Sequence, residues 1–215
     1  MATIKRSKLE EYLQDVETFS SPKISLEQYI TPPHIAACML HVAQSSFDDL
    51  NEKFVADLGC GSGMLSIGSL LLGSSFCIGF DIDADILNTY KSNMDEFEFA
   101  NFDTVLCDVD KNDLSKFQKC FDTVLMNPPF GTHNKGIDMK FLKTAINLSS
   151  NAVYSLHKTS TRDHILSKIE SWKIKGEVIA ELRYDLPNSY KFHKKKSVDI
   201  AVDLYRFWDL RNKMV

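Results

Sequence analysis

The sequence predicts an α/β protein built on a doubly wound, seven-stranded, mostly parallel sheet whose final strand runs antiparallel. Three observations predict it. Short β-branched or aromatic runs recur at 53–58, 76–80, 102–106, 121–126, 152–156, 177–182 and 198–207. Helical patterns at 64–72, 84–97, 113–119 and 139–148 fill the gaps between the first five, and a glycine-rich turn at 59–63 follows the first run. Strands that alternate with helices must run parallel and be covered on both faces. One more helix, at 161–172, precedes the last two strands, which follow each other without a helical pattern and read as a hairpin.

The N-terminal elements come before this alternation. Leu9, Tyr12, Leu13, Val16 and Phe19 recur at helical spacing and predict an amphipathic helix that stops at Ser20-Ser21-Pro22. A second helix is predicted from Thr31-Pro32-Pro33, with Thr31 as cap, Pro32 in the first turn, and Ile35, Met39, Leu40 and Val42 turned inward. Together they form a helical extension at about 1–50 of a single domain spanning 1–215.

A length of 215 residues suits one substantial core, and 44% hydrophobic with 25% charged residues describes a globular chain rather than a disordered or membrane-embedded one. No membrane partner is expected. The N-terminus leads into charged residues, with Glu10, Glu11 and Asp15 arguing against a secretory or mitochondrial leader. Five scattered cysteines, Cys38, Cys60, Cys77, Cys107 and Cys120, form no Cys-x-x-Cys pair, so reduced thiols and no metal site are expected. From residue 151 onward there are 13 Lys and Arg against 8 Asp and Glu, while the first 150 residues carry 12 against 21. A nucleic-acid partner would therefore be held by a late, local basic patch.

The first strand ends at Asp57-Leu58 and runs into Gly59-Cys60-Gly61-Ser62-Gly63, then Met64 opens a helix. In open α/β sheets ligands bind at the carboxyl ends of strands, where glycines let the backbone turn sharply and approach a ligand. Asp81 ends the second strand, placed to accept hydrogen bonds from two ribose hydroxyls, and Asp108-Val109 after the third strand faces an adenine edge. A dinucleotide site shares these parts. The Gly-x-Gly-x-Gly spacing departs from the dinucleotide pattern, however, and acidic Asp57 suits the cationic sulfonium of S-adenosyl-L-methionine.

Asn127-Pro128-Pro129-Phe130 follows the fourth strand directly. A carboxamide held between a buried strand and two prolines offers fixed carbonyl acceptors beside an aromatic face, which is what a planar amino group needs. If the Asn127 oxygen and the Pro128 carbonyl accept the amine hydrogens, the nitrogen lone pair is aimed at the methyl donor, and catalysis is orientation rather than strong base chemistry. Phe130 would stack on the base, a contact of about 1–3 kcal/mol in single-strand sites. A protein glutamine presents a similar planar amide, so the motif alone leaves both substrates open.

Lys191, His193, Lys194, Lys195 and Lys196, interleaved with Tyr190 and Phe192, read as a salt-sensitive RNA contact just before the last strand. His157 reads as structural or RNA-contacting rather than as an acid or base. Gln28, Tyr29 and Thr31 either close over the donor or only cap the following helix.

Over nearly its whole length the chain resembles the methyltransferase-like protein 5 family, eukaryotic enzymes that make N6-methyladenosine in small-subunit (18S) ribosomal RNA. The resemblance rests on Leu26-Glu27-Gln28-Tyr29, residues 57–63, Gly79-Phe80-Asp81-Ile82-Asp83, Met126 to Gly131, Tyr154-Ser155-Leu156-His157-Lys158 and 190–199. It implies a class I Rossmann-like methyltransferase that uses S-adenosyl-L-methionine. By resemblance Gln28, Thr31, Gly59, Ser62, Met64, Asp81, Asp108 and Val109 touch this cofactor, and Asn127 to Phe130 hold adenine. It also implies a heterodimer with a small zinc-binding activator subunit, for which the outer strand at 102–107 is a plausible docking edge, and localisation to nucleus, nucleolus and cytoplasm. Ser62 stands where some relatives carry cysteine. The competing expectations are glutamine-N5 methylation of a protein and a non-catalytic scaffold in ribosome assembly.

Overall fold

The computed structural model describes residues 4–19, 22–131, 134–187 and 197–209. Its sheet has seven strands: β1 (Phe54–Leu58), β2 (Phe76–Asp81), β3 (Phe102–Leu106), β4 (Phe121–Met126), β5 (Ser149–Lys158), β6 (Lys175–Pro187) and β7 (Ser197–Trp208). They lie in the order β3-β2-β1-β4-β5-β7-β6. The first five pair in parallel, and β7 is antiparallel to both β5 and β6. The doubly wound, mostly parallel sheet is thus the predicted class I Rossmann-like fold.

Among the described residues six α-helices accompany the sheet: α1 (Arg6–Leu13), α2 (Pro33–Phe47), α3 (Met64–Leu71), α4 (Ala84–Glu96), α5 (Ile137–Leu148) and α6 (Arg162–Ser171). Alternating side chains of one strand feed two cores. Val55 joins Leu40, Ile67 and Tyr90 on the α1–α4 face, while Ala56 and Leu58 join Val124, Leu142 and Ile165 on the α5–α6 face. Among the described residues no helix is long and apolar enough to cross a membrane.

Three predicted elements differ. The first helix ends at Leu13 instead of continuing to Phe19. Asn93 on α4 takes over: its oxygen accepts from the Glu17 N–H at 3.0 Å and its amide donates to the Glu17 carbonyl at 2.9 Å. That two-way bond holds the segment extended and leaves Phe19 against the glycine turn. The predicted helix at 113–119 is only a 3-10 turn, Ser115–Phe117. Seven residues do not repay helix nucleation, and the Asp113 carboxylate takes the Ser115 N–H for itself. Finally, Thr31 does not cap α2. Pro32 holds the cap position without a side-chain bond, Pro33 opens the helix, and the Thr31 hydroxyl is turned elsewhere.

The sheet register positions the site. Strand order reverses at β1, whose neighbours are β2 and β4, and ligands of open α/β sheets bind at such a switch point. Leu58 pairs with Phe80 on one side and Met126 on the other, and Asp81 pairs with Leu106. The next residues, Gly59, Asn127 and Cys107, therefore leave the same edge together with Asp81.

Candidate active site

At that edge lies a cavity of about 330 Å³. Gln28, Thr31, Gly59, Cys60, Gly61, Ser62, Met64, Asp81, Asp108 and Val109 line it, as do Asn127 and Pro129. Asp57 and Gly63 do not. Asp57 is 1% exposed and turned beneath the turn, where the Ser66 N–H and hydroxyl donate to it at 3.1 and 2.7 Å. It anchors the start of α3, and burial pushes its carboxyl up to about 7 despite those two bonds. Gly63 precedes α3 at φ +96°, where an added Cβ would stand 3.0 Å from the Tyr90 ring.

Asp81 is one of the acidic groups that line the cavity. Its two oxygens accept from the Gly61 and Asp83 N–H groups, each at 3.0 Å, which leaves further lone pairs on both for a ligand. Burial raises its pKa, and the two backbone bonds only partly offset that. The Asp108 carboxylate is engaged by Lys111 at 2.7 Å, a contact that holds it below its usual range, and by the Asp110 N–H. Its backbone and Val109 remain beside the cavity. Burial, with Asp81 nearby, pushes the Cys60 thiol well up, so this cavity-lining sulfur is no thiolate nucleophile.

A strap from Lys23 to Thr31 roofs the cavity. Asp83 ties it down: its carboxylate accepts from Lys23 Nζ at 2.6 Å and from the Gln28 amide at 2.8 Å. The Gln28 oxygen in turn accepts the Lys23 N–H at 2.7 Å. Burial alone would raise Asp83, but the Lys23 ammonium and Gln28 amide outweigh it and lower its pKa. Gln28 is thus a fastener of the roof as well as a wall of the cavity.

The carboxamide of Asn127 is held by its nitrogen. Nδ2 donates to Thr31 Oγ1 at 3.0 Å and to the Tyr184 hydroxyl at 3.3 Å. Oδ1 is buried and has no hydrogen-bond partner among the described residues. An unpaired buried acceptor costs about 1–3 kcal/mol, so this oxygen marks a place where a ligand donor belongs. Phe130 lies next to it, near-parallel to Tyr29 at a 6.4 Å centroid distance and edge-on to Tyr184 at 6.0 Å. Pro128 and Phe130 themselves stand outside the cavity lining.

His157 is 1% exposed, with Nε2 2.8 Å from the Ser155 hydroxyl and Nδ1 3.5 Å from Asp138 at the start of α5. That placement leaves it structural, out of reach of an RNA chain. Lys191, His193, Lys194, Lys195 and Lys196 lie outside the described residues.

Comparison with known proteins follows the same lines. A family model for ribosomal protein L11 methyltransferase (PrmA) matches residues 35–128, the stretch from α2 to the Asn127 motif. The rRNA N(6)-adenosine-methyltransferase METTL5 of Danio rerio is 62% identical over 205 residues, covering 95% of this chain and 99% of its own. The chain belongs to the METTL5 family of rRNA N(6)-adenosine-methyltransferases. Mettl5 of Drosophila melanogaster is 58% identical over 208 residues, covering 96% and 98% of the two chains. The crystal structure of an RNA methyltransferase candidate from Pyrococcus horikoshii matches with a TM-score of 0.85 at 34% identity, covering 98% of both chains.

The METTL5 family and the methyltransferase fold imply S-adenosyl-L-methionine as methyl donor. The residues present fit it. Asp81 offers two oxygens at the spacing of a ribose diol, Gly59 and Gly61 turn at φ +71° and +53° to bring backbone close, and Val109 and Ile82 supply apolar walls. The sequence assigns no site role to Phe19, Glu27 or Tyr184, although Glu27 lies within the resemblance motif. Phe19 keeps helical spacing, Glu27 is a buried residue at φ +50°, and Tyr184 sits in strand alternation like any core tyrosine.

Proposed function

We propose that this METTL5-family chain transfers a methyl group from S-adenosyl-L-methionine to N6 of an adenosine in small-subunit ribosomal RNA. The observation that carries the proposal is the buried, unpaired Oδ1 of Asn127 at the wall of the cavity that contains Asp81 and the glycine turn. When bound, the cofactor supplies an electrophilic methyl group on its sulfonium. Asp81 would hold the ribose hydroxyls, while Gln28 and Thr31 roof the site. Asn127 Oδ1 and the Pro128 carbonyl would each accept one hydrogen of the exocyclic amine. Two acceptors on one nitrogen draw its lone pair out of the ring plane and aim it, so the chain contributes placement and electrostatics rather than a strong base. Phe130 would stack on the adenine, which has to leave its own helix to reach the pocket.

We further propose that the enzyme works as a heterodimer with a small zinc-binding activator, in nucleus, nucleolus and cytoplasm. Supporting a docked partner, β3 is one of the two edge strands and Leu106 on it is 59% exposed. Lys191, His193, Lys194, Lys195 and Lys196 would hold the RNA backbone.

Nucleoside mass spectrometry of ribosomal RNA incubated with the chain, with and without an activator subunit, tests the reading. N6-methyladenosine at a small-subunit site supports it. Methyl incorporation only into a glutamine-bearing translation-factor peptide, or into neither substrate, overturns it.

A further inference from the structure

The carboxamide of Asn127 works only one way round. With Oδ1 toward the substrate it accepts an amine hydrogen, and rotated by half a turn it would confront that amine with its own NH2. Something in the fold must choose, since the two ends of a carboxamide have nearly the same size.

Thr31 cannot choose. Its hydroxyl both donates and accepts, and it has no other partner among the described residues, so it would pair equally with either end of the amide. Tyr184 can. Its hydroxyl carries a single hydrogen, which is donated to the Ile30 carbonyl, a group that only accepts. The phenol oxygen therefore turns a lone pair toward Asn127 and can meet only the nitrogen end, 3.3 Å away. Tyr184 is fully buried, and burial keeps its phenol protonated far above neutral pH. The edge-on contact with Phe130 fixes the ring itself.

From this chain of single-direction bonds we infer that Tyr184 is a positioning residue, whose hydroxyl sets the Asn127 carboxamide with its oxygen toward the incoming amine. The inference rests on the adenine-N6 reading of the site. It also explains an unusual reach. Strand β6 is three places from β4 in the sheet, yet Tyr184 bonds the residue that follows β4, and the register shift between Val178 and Ala180 is where β6 departs from regular pairing.

The test uses the purified full chain, alone and with an activator subunit, acting on small-subunit ribosomal RNA. Tyr184→Phe removes one oxygen and nothing else. It should lower kcat about tenfold, with RNA KM and donor Kd within about twofold of the parent. Thr31→Val, which breaks the shorter bond, should cost less, because Tyr184 still selects the orientation. In the double variant the loss should be no greater than in Tyr184→Phe alone, since the Thr31 hydroxyl favours neither rotamer and its removal leaves their ratio unchanged. If Tyr184→Phe is poorly folded, a fluorinated tyrosine at this position weakens the acceptor at constant packing and should lower kcat at an unchanged Tm. Parent-like kcat in Tyr184→Phe, losses that multiply in the double variant, or a fluorinated protein with full turnover each overturn the inference. Asn127→Ala, run in parallel, separates the two levels. Full turnover there overturns the adenine reading, whereas an inactive Asn127→Ala beside a fully active Tyr184→Phe overturns only the role of Tyr184.

Discussion

Leu58 and Met126 face each other in the β1–β4 ladder, so the turn that starts at Gly59 and the carboxamide of Asn127 leave the sheet side by side. The cavity and the carboxamide proposed to hold the amine are therefore adjacent through backbone register, before any loop closes over them. In such an arrangement the two functions should separate cleanly under mutation.

Asn127→Ala should abolish methyl transfer to RNA, by about 100-fold or more, while donor affinity stays within a few-fold. Labelled methyl transfer and calorimetric donor titration, done on one preparation, check both halves. A comparable loss in both would mean that Asn127 belongs to the donor site.

Asp81→Asn should behave in the opposite way. It keeps an acceptor but removes the charge that doubles the strength of a hydrogen bond to a hydroxyl. Donor Kd should weaken about tenfold, and kcat at saturating donor should recover most of its value. A donor Kd unchanged by this substitution would remove Asp81 from the ribose.

Gln28→Ala unfastens the strap from Asp83 without touching α4, whose first turn Asp83 caps through the Asp85 N–H at 3.1 Å. Faster donor dissociation with Tm almost unchanged is the expected result, read by stopped-flow fluorescence. Should release stay at the parent rate, Lys23 and its ion pairs alone hold the roof.

Asp57 makes stability depend on pH. Burial moves its carboxyl from 3.8 to about 7, so between those values the folded chain keeps a proton that the unfolded chain has lost. Its contribution is fully present below about pH 4, falls as pH rises, and is level above about pH 7. Asp57→Asn cannot ionise. Between about pH 5 and pH 7 the variant should gain on the parent by up to about 1.4 kcal/mol per pH unit, measured by denaturant unfolding. A difference that does not change with pH would place the Asp57 pKa near its ordinary value.

Much of this was legible in the residues. The strand and helix alternation, the glycine turn and Asn127-Pro128-Pro129-Phe130 are local patterns, and local patterns are written in consecutive residues. Misreadings came where a distant group intervened. Val16 and Phe19 do keep helical spacing, but Asn93 on α4 holds their backbone extended. Thr31 does look like a cap, but its hydroxyl receives the Asn127 amide from 96 residues away.

By itself the sequence determined the order of elements along the chain and marked Asp81 and Asn127 at the carboxyl ends of their strands, because periodicity and turn chemistry act over a few neighbouring residues. Only the tertiary structure decided that Asp57 turns away beneath the loop, that Gln28 fastens a roof through Asp83, and that Tyr184 meets Asn127 from the far edge of the sheet. The roof and the carboxamide depend on single hydrogen bonds between residues 55 and 57 positions apart, and the Asp57 orientation on burial and its two bonds from Ser66; no local pattern in the chain encodes them.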